Sequence, residues 1–294
     1  MVAFLYPGQG SQEPAMGTEF LRYPWASEIL REAEGVLGYP PLEAMKDPGR
    51  LVRTSYVQPL LLVVEQLITE VLKREARIVP DVVCGHSLGE YAALAAAGVI
   101  GWEEALRLVA LRGRLMEEAA RRYPGTMAAI IAPTAEAERI AAEAGCFAVN
   151  YNAPEQAVVS GERAAVERAV ELARARGYRA VPLKVSGPFH TPFMREAEER
   201  LRGALAGVPF RRPRITFISA VSGRPESDPE RIRALMEVQM TRPVRWTEVI
   251  RALEGLRVAE AVEAGPGQVL AKLGRRTTGA VNFRSWREYV GLRG

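Results

Sequence analysis

The sequence predicts an α/β fold in which a mainly parallel sheet carries helices on both faces and holds a smaller inserted unit. Short apolar runs alternate with helical patterns through most of the chain, as in a parallel sheet. One such run, residues 82–84, leads into a Gly-x-Ser-x-Gly turn and then a helix. A third observation is the order β-α-β-β-α-β in residues 125–187, which is typical of a ferredoxin-like module. We therefore expect a hydrolase-like core at residues 1–124 and 188–294 and a ferredoxin-like insert subdomain at residues 125–187.

The composition narrows the class of protein before any motif is considered. Hydrophobic residues make up 48% and charged residues 25% of the 294-residue chain, which is ordinary for a globular protein. The net charge of +4 comes without a basic block containing aromatic residues, so we expect no nucleic-acid binding, although an acidic protein partner would be tolerated. Two cysteines are too few for a disulfide framework or a zinc site. No apolar stretch approaches a membrane span or a signal peptide, so we expect a cytoplasmic protein without a membrane partner.

The first segment predicts a short strand that ends in a glycine-rich loop. Residues 2–6 are apolar, and the loop at residues 7–12 places Gln9 between two glycines. The glycines either let the Gln9 backbone approach a ligand or simply form a turn. Helical patterns follow, of which the longest has a strong apolar stripe and should pack centrally beneath the sheet; they span residues 24–37, 41–45 and 54–77.

The strand at residues 82–84 leads to the candidate nucleophile. Ser87 is the central residue of the Gly-x-Ser-x-Gly pattern, and an alanine-rich helix at residues 91–97 follows it. This strand–turn–helix context is typical of a nucleophile elbow. Free backbone N–H groups and the helix dipole at the N-terminus of that helix favour the negative charge of an oxyanion. The pattern alone arises easily by chance, so the prediction depends on the flanking elements and on a base elsewhere.

A second unusual residue lies in the helix predicted to begin at residue 101 and end near residue 123. The neighbours of Arg112 three and four positions away are all apolar: Leu108, Val109, Leu115 and Met116. Other arginines of this helix have glutamates nearby. A buried guanidinium stays charged and is costly without an anion. Its partner is either a distant structural carboxylate or a substrate carboxylate held by two hydrogen bonds, and at this point both remain open.

The remaining elements complete the two units. The insert should contain strands and helices at residues 126–132, 147–151, 156–160 and 178–185 and at residues 135–144 and 162–176. Beyond the insert we expect helices at residues 193–206, 229–240, from 243 onward and at 269–273, with strands at residues 215–220 and, as the final strand, 259–263. Asn150 and Asn152 share one face of an extended segment, where they either line a cleft or form turn hydrogen bonds.

A serine nucleophile needs a base, and the chain contains only two histidines. His86 directly precedes Ser87, so on a sharp turn the two side chains should diverge. This leaves His190, which lies in a loop at residues 186–192 that two prolines make rigid. The sequence nominates no acid to orient the imidazole, and a backbone carbonyl could serve instead.

Six motifs together resemble those of the malonyl-CoA:acyl carrier protein transacylase family. They occur in the family's order between about residues 4 and 273, at residues 6–12, 85–91, 111–113, 187–191, 239 with 243–246, and 263–267. The resemblance implies that Ser87 is the acylated nucleophile and His190 its general base and later general acid. It also implies that the backbone N–H groups of Gln9 and Leu88 form an oxyanion hole.

The same resemblance assigns the remaining site residues and the substrates. Arg112 would bind the free carboxylate of a malonyl group, and the backbone carbonyl of Gln239 would orient the histidine. Phe189 resembles the malonyl-selecting members, whereas Pro188 stands where bacterial members often carry a small residue. The implied substrates are malonyl-CoA and acyl carrier protein, which carries the phosphopantetheine, and no metal or bound cofactor is expected.

Two rival functions follow from the same residues. A serine esterase or thioesterase could use the same Ser-His dyad, but it has no need for a carboxylate-binding arginine on an apolar helix face. An interaction domain with a decayed site is disfavoured because Ser87, His190 and Arg112 are all present. We expect the malonyl transferase, acting in fatty acid biosynthesis.

Overall fold

The structure is a computed structural model that describes residues 1–291. Within these residues the strands are β1 Val2–Tyr6, β2 Val82–Gly85, β3 Gly125–Ile131, β4 Phe147–Ala153, β5 Gln156–Glu162, β6 Arg179–Pro182, β7 Thr216–Ser219, β8 Arg224–Glu226, β9 Glu260–Glu263 and β10 Asn282–Ser285. The α-helices are α1 Ala26–Leu37, α2 Pro41–Lys46, α3 Pro48–Leu51, α4 Thr54–Arg74, α5 Gly89–Ala96, α6 Trp102–Arg122, α7 Thr134–Ala144, α8 Arg163–Ala175, α9 Arg195–Ala206, α10 Pro229–Glu237, α11 Trp246–Gly255, α12 Val269–Thr277 and α13 Trp286–Tyr289.

The larger sheet has six strands in the order β10-β9-β1-β2-β7-β8. All neighbours in it are parallel except β8, which runs antiparallel to β7 at the edge. Strands β1 and β2 lie side by side, and Tyr6 pairs with Gly85 at their last residues. Because parallel strands end at the same edge of a sheet, the loops that follow β1 and β2 meet there. The predicted α/β core with a mainly parallel sheet is confirmed.

Helix α4 is the central helix of the larger hydrophobic core. It packs with sheet residues such as Phe4 and Tyr6 in one cluster, as the apolar stripe predicts. Its length and composition would also suit a membrane crossing, but 78% of its most apolar 18-residue stretch is buried inside the protein. That burial identifies α4 as the core helix of a folded domain.

The smaller sheet is antiparallel, with strand order β4-β5-β3-β6. Its chain order β3-α7-β4-β5-α8-β6 is the one that the sequence predicts. Helices α7 and α8 bury a separate apolar cluster against it, including Ile130, Ile140 and Val166. The domain boundaries given above stay a prediction.

The small sheet is joined to the core through strand β4. Backbone N–H groups of Tyr151 and Val244 donate to the Val244 and Val149 carbonyls, at 2.9 and 2.8 Å. The Thr247 hydroxyl donates to the Tyr151 carbonyl at 2.9 Å. These bonds hold the edge of the insert against the segment that begins α11.

In the part of the chain after the insert, one prediction was wrong and one strand was missed. The strand at residues 259–263 is not the last, because β10 pairs with β9 and the short helix α13 follows. Strand β10 has only four residues and a single apolar side chain, Phe283, which is too little for a recognisable strand pattern. Strand β8 was also missed, since three polar or proline residues at a sheet edge give no apolar signal.

Candidate active site

Ser87 lies on the sharp turn between β2 and α5, at the edge where β1 and β2 end. Its φ of 53° is in the left-handed region, which is uncommon for residues other than glycine. A Cβ on Gly85 would clash with the backbone of Gly89, and one on Gly89 would clash with the Tyr6 carbonyl. The two glycines of the motif are therefore required by close backbone contacts.

The structure brings Ser87 and His190 together. Ser87 Oγ lies 2.8 Å from His190 Nε2, and the imidazole is 5% exposed. His190 Nδ1 lies 3.1 Å from each of two backbone carbonyls, those of Gln239 and Arg242. Carbonyl oxygens only accept, so this network assigns the proton to Nδ1 and leaves Nε2 free to accept the serine proton. The Gln239 carbonyl lies where the resemblance implies, whereas the Arg242 carbonyl has no signal in the sequence.

The surroundings of His190 keep its imidazole neutral. Burial lowers the pKa of His190 to about 3, and the positive charge of Arg112 and the nearby His86 act in the same direction. The two carbonyl acceptors oppose this shift. A neutral imidazole at neutral pH can act as a general base.

Arg112 is fully buried on α6 and points at the serine. Its Nη2 donates to Ser87 Oγ at 3.1 Å, and its Nη1 donates to Gln58 Oε1 at 2.7 Å. Within residues 1–291 its Nε has no hydrogen-bond partner and no carboxylate lies within 4.0 Å of the guanidinium. Burial lowers the pKa of Arg112, while Tyr91 and Glu90 raise it, and a guanidinium remains charged in proteins. The structural carboxylate considered from the sequence does not contact it.

The two proposed oxyanion donors lie on neighbouring loops. Gln9 is in the loop after β1, and Leu88 precedes the first residue of α5. In the described part of the chain, neither backbone N–H donates to another protein atom. Gly8 packs so closely on the elbow that an added Cβ would be 2.7 Å from the His86 carbonyl oxygen. Both N–H groups thus remain free at the edge of the sheet that carries Ser87.

His86 points away from the serine, as expected from the sharp turn. Its Nε2 lies 2.9 Å from Asn152 Oδ1 of the insert, and its ring meets Trp246 edge-on at 5.5 Å between centroids. Asn150 Oδ1 is buried and has no partner among the residues that the structure describes. The asparagine pair therefore lies at the junction of insert and core.

Sequence reasoning missed two buried polar residues of the site. Gln58 interrupts the apolar face of α4 and holds the Arg112 guanidinium. Glu90, in the first turn of α5, is fully buried and accepts a hydrogen bond from the Gln239 side chain. A polar residue inside an otherwise apolar helix was the available signal in both cases. Residues 1–291 contain no group of three or more His, Cys, Asp or Glu side chains placed to hold a metal ion.

Comparisons with known proteins agree on one family. The family model for the acyl transferase domain matches residues 3–291. The malonyl CoA-acyl carrier protein transacylase of Salmonella typhimurium is 37% identical over 300 residues, which cover 99% of this chain and 97% of that protein. The crystal structure of acyl-carrier-protein s-malonyltransferase from Burkholderia pseudomallei is 36% identical and has a TM-score of 0.92, with 99% of both chains covered.

A further similar structure contains a partner protein. It is a type II polyketide synthase acyl-carrier protein in complex with its malonyl-transacylase, and it matches with 36% identity and a TM-score of 0.92. The match covers 97% of this chain and 95% of that one.

Proposed function

The chain belongs to the acyl transferase family, and from that premise we propose that it transfers a malonyl group from CoA to the phosphopantetheine thiol of acyl carrier protein. The observation that carries this proposal is the buried Arg112, whose Nη2 lies 3.1 Å from Ser87 Oγ and which has no carboxylate partner in the described chain. A substrate carboxylate beside the nucleophile would supply the missing negative charge.

In the first half-reaction, Ser87 attacks the thioester carbonyl of malonyl-CoA. His190 Nε2 accepts the Oγ proton as the new C–O bond forms, and the carbonyl oxygen becomes an oxyanion. The backbone N–H groups of Gln9 and Leu88 stabilise that oxyanion, and each such donor contributes about 3 to 4 kcal/mol. When the C–S bond breaks, the imidazolium returns the proton to the CoA sulfur, which leaves a malonyl-serine ester.

The second half-reaction reverses these roles with a different thiol. The phosphopantetheine thiol of the carrier gives its proton to His190 and attacks the malonyl ester. Collapse of the intermediate breaks the bond to Ser87 Oγ, which regains its proton from the imidazolium. Exchange through a single ester gives ping-pong kinetics.

Arg112 sets the acyl selectivity in this proposal. A malonyl carboxylate accepts hydrogen bonds from the guanidinium, whose orientation Gln58 fixes at 2.7 Å. An acetyl group would leave the buried charge unpaired, and sites built around a polar partner reject analogues that lack it. Phe189, which is 5% exposed, adds apolar bulk next to His190.

The wider setting follows from the relatives. We place the chain in the cytoplasm and in fatty acid biosynthesis, with malonyl-CoA and acyl carrier protein as its partners. The proposed chemistry uses no metal and no bound cofactor, because serine, imidazole, arginine and backbone N–H groups supply every step.

Intact-mass measurement of the protein mixed with malonyl-CoA tests the proposal. We expect a malonyl adduct that is absent in Ser87→Ala and that acyl carrier protein removes faster than water does. Arg112→Ala should lose acylation by malonyl-CoA by a factor of about 100 or more while keeping acylation by acetyl-CoA. No adduct, or equal labelling by both acyl groups in the unchanged protein, would refute malonyl transfer. Release by water as fast as by the carrier would identify a thioesterase.

A further inference from the structure

Glu90 is a fully buried acid for which the proposed reaction gives no role. It lies in the first turn of α5, three residues after Ser87. Its Oε1 accepts hydrogen bonds from the Ser219 hydroxyl at 2.6 Å and from the Ala220 N–H at 2.9 Å. Its Oε2 accepts from Gln239 Nε2 at 2.7 Å. The N–H groups of Ala220 and Gln239 can only donate, so each carboxylate oxygen faces an obligatory donor.

The Gln239 side chain connects Glu90 to the nucleophile. Its Nε2 also donates to the Ser87 backbone carbonyl, at 2.8 Å. Both neighbours of Nε2 are acceptors, which settles the orientation of the amide. The Ser87 carbonyl thus accepts from Gln239 in addition to the N–H of Glu90 at 3.2 Å.

The Gln239 backbone connects the same residue to the base. Its carbonyl accepts from His190 Nδ1 at 3.1 Å, and Gln239 is 1% exposed. A single buried residue therefore contacts the backbone of the nucleophile through its side chain and the imidazole through its main chain. The carboxylate of Glu90 holds that residue at its amide.

We propose that Glu90 is a positioning residue that does the work of the missing triad acid, by holding Gln239 so that Ser87 and His190 keep their mutual alignment. The inference rests on the roles proposed above for Ser87 and His190. In a triad the carboxylate contacts the imidazole directly. Here it acts through Gln239, whose side chain it holds and whose carbonyl accepts from the imidazole.

A purely structural role is the competing explanation, because Glu90 also ties α5 to the end of β7 through Ser219. Such a link would affect folding but not the rate at which a folded site is acylated. The test is therefore the rate constant of acylation by malonyl-CoA, measured by rapid quench and intact mass. It is divided by the number of active sites in which Ser87 can be acylated, called titratable serines below, so that unfolded protein does not count.

Glu90→Gln keeps the shape of the side chain but turns one acceptor into a donor that faces Ala220 or Gln239. We expect the acylation rate per titrated serine to fall about 10- to 100-fold, with the KM for malonyl-CoA little changed because Arg112 and Gln58 remain. Glu65→Gln is the matched control, since it makes the same substitution at another fully buried acid, which has no hydrogen bond to Gln239. It should be acylated at the unchanged rate.

Gln239→Leu keeps the backbone carbonyl and removes the amide, so it should reproduce the loss. The effects of Glu90→Gln and Gln239→Leu should then fail to add in the double variant. The ring N–H resonance of His190, one of only two histidines, should move in Glu90→Gln and stay in Glu65→Gln.

Unchanged rates per titrated serine in Glu90→Gln, or additive losses in the double variant, would overturn the inference. If Glu90→Gln yields no titratable serine, an unchanged rate in Gln239→Leu overturns it and a 10- to 100-fold loss supports it. Failure of the unchanged protein to form any acyl-enzyme would instead refute the proposed function.

Discussion

The imidazole of His190 is a base made weaker by its surroundings. Burial lowers its pKa to about 3, and the nearby Arg112 guanidinium and His86 act in the same direction. A weaker base accepts a proton from the serine less readily. It nevertheless remains unprotonated at a pH where an ordinary histidine carries a charge. Burial is the largest cause of the lowered pKa of His190, and the Arg112 charge that would bind the substrate adds to it.

This coupling predicts the acid limb of the pH–rate profile. Because the pKa of His190 is lowered, the neutral base should persist as the pH falls, and acylation by malonyl-CoA should show no histidine-like loss between pH 7 and 5. In Arg112→Ala the pKa should move back toward the ordinary value of about 6.5, so the limb should appear at higher pH. Acylation by acetyl-CoA, which does not need the arginine, allows both proteins to be compared. A limb near pH 6.5 in the unchanged protein would contradict the prediction.

At this scale the sequence predicts side chains better than backbone contacts. Ser87 stands out through its motif, and Arg112 through a charge on an apolar helix face. The second carbonyl at His190 Nδ1, from Arg242, depends on how the chain turns before α11, and every residue has a carbonyl. No residue type could have indicated it.

Helix α4 carries another fully buried acid, Glu65. Both of its carboxyl oxygens lack a hydrogen-bond partner in residues 1–291, and burial raises its pKa well above the ordinary value, with the nearby Glu263 acting in the same direction. Glu263 ends β9 and accepts from the Ala271 N–H at 2.8 Å, and burial raises its pKa to about 7. Two acids with raised pKa values thus lie between the central helix and the sheet.

Glu65→Gln should make stability less dependent on pH. A carboxyl whose pKa is higher in the folded state binds its proton more tightly there, so its contribution to stability is present at low pH and is lost as the pH rises from about 4.5 toward the raised value. The neutral glutamine avoids that loss, and the variant should gain stability relative to the unchanged protein between pH 5 and pH 9. Urea unfolding at both values measures this.

The control for that measurement is Glu43→Gln on α2, where the glutamate side chain is 66% exposed. It should shift stability by less than about 0.5 kcal/mol at either pH. An equal free-energy difference between Glu65→Gln and the unchanged protein at pH 5 and pH 9 would show that Glu65 titrates normally.

Elements were predictable where their apolar pattern was long. The apolar stripe of α4 predicted both the helix and its central position. A 21-residue helix with such an apolar face must pack that face against the core to remove it from water. Strand β10 failed the same reasoning, since it buries only Phe283 and Ser285 at the sheet edge. Its existence depends on β9 offering a free edge, which is a property of the sheet.

The whole molecule is two sheets whose junction lies beside the active site. The order of elements predicted both sheets, but pairing between β4 and the segment before α11 is a contact between distant parts of the chain. Sequence periodicity carries no information about such a contact. The pairing of β4 with this segment places Asn152 of the insert against His86, next to the nucleophile.

The His86–Asn152 hydrogen bond predicts how strongly the two units depend on each other. Asn152→Ala would leave His86 Nε2 without its 2.9 Å partner in a partly buried site, and the loss of such a hydrogen bond costs about 1 kcal/mol. We expect urea unfolding to show a loss of that size, and hydrogen exchange at the Tyr151 amide, which donates to Val244, to become faster. Asn282→Ala, at an exposed edge position bonded to Glu260, should change neither. Unchanged exchange at Tyr151 in Asn152→Ala would mean that the backbone pairing alone holds the insert, because the side-chain bond would then contribute nothing to the junction.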